Sequence, residues 1–164
     1  IIRDLFLFSC YTGISYGDMC LLTKDDLVTD ENGTLWIRTS RKKTKVEYEV
    51  PLLEVPLHIL SKYRDVEPNG KLLPMYCNSD VNKYLKTIAT KCGINRRIVF
   101  HAARHTYATE ITLSHGVPLE TVSKMLGHTR VDTTQIYAKV TDDKINADTK
   151  RLDNKISERF TIAI

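Results

Sequence analysis

The sequence predicts a mainly α-helical domain with a small three-stranded antiparallel β-sheet inserted near its start. Two observations carry this. Segments with apolar residues at three- and four-residue spacing run up to Gly13, Gly93, Gly116 and Gly127, as amphipathic helices do when glycine ends them. Near the start, residues of strand-like alternation flank an Asn32-Gly33 turn, a strong short-range hairpin signal. A length of 164 residues suits one domain over 1–164.

Taken in order, residues 2–11 read as a helix through Leu5 and Phe8, ended by Gly13. Ser15 caps a second short helix to about Leu22. Leu27 and Val28 begin a first strand. Residues 34–39 and 46–51 form the next two, with Val46, Tyr48 and Val50 on one face. The basic segment Ser40 to Lys45 joins them. Pro56 suits the first turn of a helix through about Arg64, and Asn69-Gly70 marks a loop. Asn78 or Ser79 caps a helix to Cys92. Further helices are expected from His101 to Gly116, from Pro118 to Gly127, from a Thr129 cap through Ala138, and over about 142–158.

Composition is that of an ordinary globular chain, 42% hydrophobic and 27% charged. No apolar run is long enough to span a bilayer, so no membrane role is expected. The net charge of +4 is mild. Its distribution says more: Arg38, Arg41, Lys42, Lys43 and Lys45 cluster in one stretch, and Lys91, Arg96, Arg97 and Arg104 in another. Either cluster reads as a solvated face or as a phosphate-binding patch. Cys10, Cys20, Cys77 and Cys92 form no C-x-x-C pair and have no histidine at zinc-finger spacing. A reduced, cytoplasmic protein without metal or cofactor is expected.

Chemistry concentrates in the second half. His101 and Arg104 are separated by one helical turn and share a face. His101 opens the helix, where the dipole favours an anion, and Arg104 can grip two phosphate oxygens. Leu126-Gly127-His128 follows, a helix stop with a histidine projecting from the turn, and Tyr137 comes nine residues after His128. Each feature alone has an ordinary reading: a cap with a surface arginine, a structural histidine, and one half-buried aromatic among eight tyrosines.

Together, in this order and at these gaps, His101-x-x-Arg104-His105, Leu126-Gly127-His128 and Tyr137 resemble the tyrosine recombinase, or phage-type integrase, family. Thr12-Gly13-Ile14 with Asp18 is similar to a further family segment, and Lys43-Thr44 before Val50-Pro51 resembles its β-hairpin lysine. The resemblance implies the catalytic fold of a DNA breaking-rejoining enzyme, here of the mobile-element (conjugative-transposon) kind. It implies site-specific integration or excision by metal-independent transesterification through a 3′-phosphotyrosine. Tyr137 would be the nucleophile, with Arg104, His101 and His128 on the phosphate. Lys43 would be the acid for the leaving oxygen, with Lys42 and Lys45 as rivals. Asp18 and His105 would brace these groups from behind. Arg41, Lys42, Lys45, Arg96 and Arg97 are expected to contact DNA.

The chain departs from the family where its first arginine should stand, because that position is Ser15. Arg3 is a candidate for the missing phosphate contact; a surface salt bridge is its other reading. His58 and His115 match nothing and read as surface or packing residues. The start at Ile1 suggests a C-terminal fragment of a longer protein whose core-binding domain lies ahead. Residues 142–164 suggest a helix and tail that pack in cis or on another subunit. The resemblance further implies double-stranded DNA attachment sites, a homotetramer on DNA, accessory DNA-bending or directionality proteins, and a bacterial, nucleoid-associated location. A DNA-binding protein without catalysis and a type IB topoisomerase-like strand relaxer are the alternatives.

Overall fold

The computed structural model describes residues 1–64, 70–138 and 142–158, the last segment's first three by backbone alone. Helix α1 (Ile2–Thr12) ends at Gly13, whose φ of 70° is left-handed, and Ser15 then opens the short helix α2 (Tyr16–Met19). The serine hydroxyl accepts the Asp18 backbone N–H and donates to the Asp18 carboxylate at 2.8 Å. This helix stops three residues before the expected Leu22. One turn is all the segment supports before Leu22 swings into the core, where it is 1% exposed.

Strands β1 (Leu27–Thr29), β2 (Leu35–Ser40) and β3 (Glu47–Pro51) form the expected antiparallel sheet in the order β1-β2-β3. Leu27 pairs with Ile37, and Ile37 with Val50. Ile37, Tyr48 and Val50 are buried and turn one face of the sheet to the helices. The β1–β2 turn is fastened by Asp30, which accepts the backbone N–H groups of Asn32 and Thr34 and the Trp36 indole. The β2–β3 connection, Arg41 to Val46, closes with Arg41 accepting from the Lys45 N–H at 2.8 Å.

Helix α3 (Glu54–Tyr63) has Pro56 in its first turn. Helix α4 (Asn78–Lys91) is capped by Cys77 instead of Asn78 or Ser79. Its carboxamide at Asn82 reaches across to accept the Phe100 backbone N–H. Helix α5 (His101–Thr106) widens into a π-helical turn over Tyr107–Thr112 and tightens again at Leu113–His115 before Gly116. The hydroxyls of Thr106, Thr109 and Thr112 all bond carbonyls one turn back, Thr112 to both Tyr107 and Ala108. Such competition for the ladder loosens a helix locally.

Helix α6 (Leu119–Met125) and the one-turn helix α7 (Asp132–Gln135) follow. Residue Thr129 does not cap α7; Val131 stands at that position. Helix α8 (Asp142–Ser157) matches the expected charged helix, and residues 159–164 of the proposed tail, like Asn69 of the expected loop, lie outside the described residues. The core joins α1, the sheet and α3–α6 through Leu5, Phe8, Ile37, Val50, Val81, Phe100, Val122 and Leu126.

Candidate active site

Arg104 sits on the inner face of α5 and is 2% exposed. Its guanidinium donates to the Gly13 carbonyl at 2.7 Å and to the Leu126 carbonyl at 2.6 Å. Both acceptors are the loose carbonyls of helix ends, so two helix termini aim one cation. Gly13 is needed for a second reason. A Cβ there would stand 2.4 Å from the Tyr107 ring and 2.8 Å from Leu126.

The third partner of Arg104 is His128, whose Nε2 lies 3.0 Å from Nη2. The turn after α6 places this ring, and its Nδ1 meets the Thr134 hydroxyl at 2.8 Å. Burial, then Arg104 and Arg41, push the His128 imidazole down to about 4. Burial first and Arg41 second push Arg104 down to about 10, while Tyr137 and Asp18 are near enough to favour its charge.

Tyr137 follows α7 and is 7% exposed. Its ring stands edge-on to His105 at 4.8 Å, and His105 stands edge-on to His101 at 5.0 Å. The phenol oxygen has no hydrogen bond among the described residues. No fully enclosed side-chain oxygen there lacks a partner, so the hydroxyl is not wholly enclosed. His101 is lowered by burial, then by His105, Arg104 and Arg41. It also lines a cleft of about 390 Å³ with Ser15, Gly17, Asn82 and Arg104.

Asp18, 3% exposed, gathers the other side of the site. It accepts from the Ser15 hydroxyl, the Lys42 backbone N–H at 2.9 Å and the Arg41 guanidinium. Arg41 therefore leaves the basic hairpin and turns inward, its stem packed on Gly127. Among the described residues it is the one cation that lowers Arg104, His128 and His101 together. Sequence reading placed Arg41 among surface DNA contacts. Its only sequence signal is that it is the first basic residue of the β2–β3 connection, two short of the lysine that drew attention.

Arg3 lies elsewhere. It bonds Asp4 at 2.8 and 2.9 Å, and the same carboxylate takes Lys62 and Tyr63. The structure gives Arg3 the salt bridge and does not bring it to the site. Lys42, Lys43 and Lys45 are exposed in the hairpin, with Lys45 at a φ of 59°. Arg96 and Arg97 line a separate groove beside Lys83 and Lys86. His105, read as a residue behind the site, lies directly against the nucleophile candidate. His58 and His115 are exposed.

A family model described as "Phage integrase family" matches residues 2–144. The chain belongs to the phage integrase family. Among curated members, tyrosine recombinase XerD of Listeria monocytogenes serotype 4b is 34% identical over 145 residues, covering 79% of this chain and 47% of that one. A tyrosine recombinase of Thermosipho africanus is 30% identical over 141 residues, covering 82% and 48%. This integrase-family chain thus spans about half the length of the curated relatives it matches. Its fold is that of the tyrosine recombinase catalytic domain. XerA recombinase superposes with a TM-score of 0.69 at 23% identity over 92% of this chain and 62% of that one. XerH bound to palindromic difH substrate gives 0.71 at 22% over 93% and 45%.

Proposed function

We propose that this chain is the catalytic domain of a site-specific DNA recombinase that cuts and rejoins strands through a 3′-phosphotyrosine. The observation that carries the reading is the buried Arg104 guanidinium, fixed by two helix-end carbonyls and His128, with Tyr137 in its electrostatic reach. A buried arginine with no carboxylate hydrogen-bonded to it among the described residues is placed for an incoming anion.

In the proposed step the Tyr137 oxygen attacks a backbone phosphorus. The new O–P bond forms as the bond from phosphorus to the 5′-oxygen breaks, and that oxygen takes a proton. Arg104 and His128 meet the charge that develops on the non-bridging oxygens. His105 lies against the phenol ring with His101 behind it; the phenol has an ordinary pKa of ~10 and needs help to lose its proton. Arg41 takes the place of the arginine that Ser15 replaces, aimed by Asp18 instead of by the backbone of α2. Lys43, with Lys42 and Lys45 beside it, supplies the leaving group's proton from the exposed hairpin. Attack by a 5′-hydroxyl from another strand reverses the step.

Double-stranded attachment sites are the substrate in this reading, with Arg96 and Arg97 on the phosphate backbone. A homotetramer would perform the exchange, with accessory DNA-bending or directionality proteins setting its direction. The test is a nicked duplex bearing its own attachment site. A covalent protein–DNA adduct that vanishes in Tyr137→Phe supports the enzyme. DNA binding with no adduct would instead make the chain a non-catalytic DNA-binding relative.

A further inference from the structure

The contact between Arg104 and His128 fixes a proton as well as a distance. A guanidinium carries N–H donors and no acceptor. Nη2 of Arg104 therefore donates across the 3.0 Å to Nε2 of His128, and that nitrogen must offer a lone pair. The proton of the neutral ring is left on Nδ1, which faces the Thr134 hydroxyl at 2.8 Å. Thr134 is fully enclosed. Its carbonyl also accepts the backbone N–H of Tyr137 at 3.0 Å. One residue thus holds both the imidazole and the turn that carries the nucleophile.

We propose that Thr134 is a positioning residue for strand cleavage: its hydroxyl takes the Nδ1–H that Arg104 leaves on His128 and couples that ring to the Tyr137 turn. The catalytic consequence rests on the cleavage reading above; the tautomer does not. A hydroxyl both donates and accepts. In the DNA-free protein it accepts from Nδ1–H. When a phosphate draws the Arg104 N–H away, Nε2 takes a proton from solvent as Nδ1 gives one back to it, and the hydroxyl turns and donates to Nδ1. The ring proton then stands on Nε2, facing the phosphate oxygen. The ring needs no net charge for this, which suits a site already holding Arg104 and Arg41.

Nitrogen-15 NMR of histidine-labelled protein at pH 7, without DNA, reads the tautomer directly. We expect the His128 proton on Nδ1 in the wild type and in Thr134→Ser, and in Thr134→Val a proton still on Nδ1 but with a clearly shifted ring signal, because its acceptor is gone. In the nicked-duplex assay Thr134→Val slows adduct formation about ten- to hundredfold, as removal of a residue that orients a site histidine does, and Thr134→Ser restores most of the rate. A wild-type ring protonated on Nε2 overturns the proposal. So does Thr134→Val with both the wild-type ring signal and the wild-type rate. If Thr134→Val fails to fold, the wild-type and Thr134→Ser spectra still decide it. A wild type that forms no adduct refutes the cleavage reading, and the ring spectra then judge the tautomer by themselves.

Discussion

The guanidinium of Arg41 closes on the carboxylate of Asp18, twenty-three residues earlier in the chain. The same carboxylate holds the Ser15 hydroxyl and the backbone of Lys42, so the short helix α2 and the β-hairpin act as one part. In the proposed reading, Arg41 from the hairpin serves where Ser15 stands in place of an arginine. Arg41→Ala is expected to cut adduct formation by ~10²–10³, the usual scale for one electrostatic contact to a developing charge. Arg3→Ala should leave the rate within about twofold, because Arg3 is exposed and engaged with Asp4. Single-turnover cleavage of the nicked duplex by the two variants separates them, and equal losses would return Arg3 to the site.

The Asp18 carboxylate has four partners, the fourth being the Tyr48 hydroxyl, and almost no solvent. Removing it strands Arg41, Ser15 and a backbone N–H together. Breaking a buried pair from one side typically costs ~3–5 kcal/mol; Arg41 keeps 17% of its side chain in water, which argues for the lower end. Asp18→Ala should thus unfold at markedly lower urea with an unchanged slope. A midpoint equal to wild type would mean the hairpin holds itself in place.

The helices and the sheet were legible because each follows a local rule. Gly13 ends α1, Asn32-Gly33 turns the hairpin, and the alternation of Tyr48 and Val50 marks the buried face. What local rules missed is long-range. Nothing near Arg41 in sequence announces that it will turn inward, since the Asp18 carboxylate that draws it lies on another element. The π-helical turn after α5 comes from spaced threonines bonding back to carbonyls, a competition that apolar periodicity does not register. Motif order singled out Tyr137, Arg104, His101 and His128 as candidates. It could not show that His105 touches the tyrosine ring or that Thr134 supports His128, because both are tertiary facts.

Stability should fall as pH drops from 7, in two stages. The His128 imidazole is held down to about 4 by burial and by Arg104 and Arg41, against ~6.5 in an unfolded chain. Between those values the unfolded chain binds a proton the folded one refuses, so stability is present above ~6.5 and is lost as pH falls toward 4. His101, lowered mainly by burial, adds in the same direction. Below ~4 a second loss begins at Asp4. Burial opposes its charge, but hydrogen bonds from Lys62, Tyr63 and Arg3 outweigh that and hold it well below the usual carboxylate range. Urea midpoints at pH 7, 5.5 and 4 test this, and His128→Gln should flatten most of the first stage.

Arg96 and Arg97 line an open groove with Lys83 and Lys86, apart from Arg104. Contacts of that kind release counterions without reading bases. Replacing both arginines with alanine should weaken DNA binding alike for specific and random duplexes. It should also reduce the slope of log affinity against log salt by about two. Fluorescence anisotropy across a salt series measures both, and an unchanged slope would remove this groove from the DNA interface.

Gly127 joins the motif turn to the hairpin through space. Its φ of 63° is left-handed, and a Cβ there would lie 2.8 Å from the Arg41 stem and 2.9 Å from the Tyr48 ring. Gly127→Ala should therefore cost ~1–3 kcal/mol, from backbone strain and from crowding. The two causes separate in a double mutant. Tyr48 is 4% exposed and cannot retreat, so relief must come from Arg41. If crowding contributes, Gly127→Ala costs less in an Arg41→Ala background, a coupling of ~0.5–1 kcal/mol for residues in contact. Its effect on cleavage should nearly disappear there, since the arginine it displaces is already gone. Strict additivity in both stability and rate would show that Gly127 serves only the backbone turn at His128.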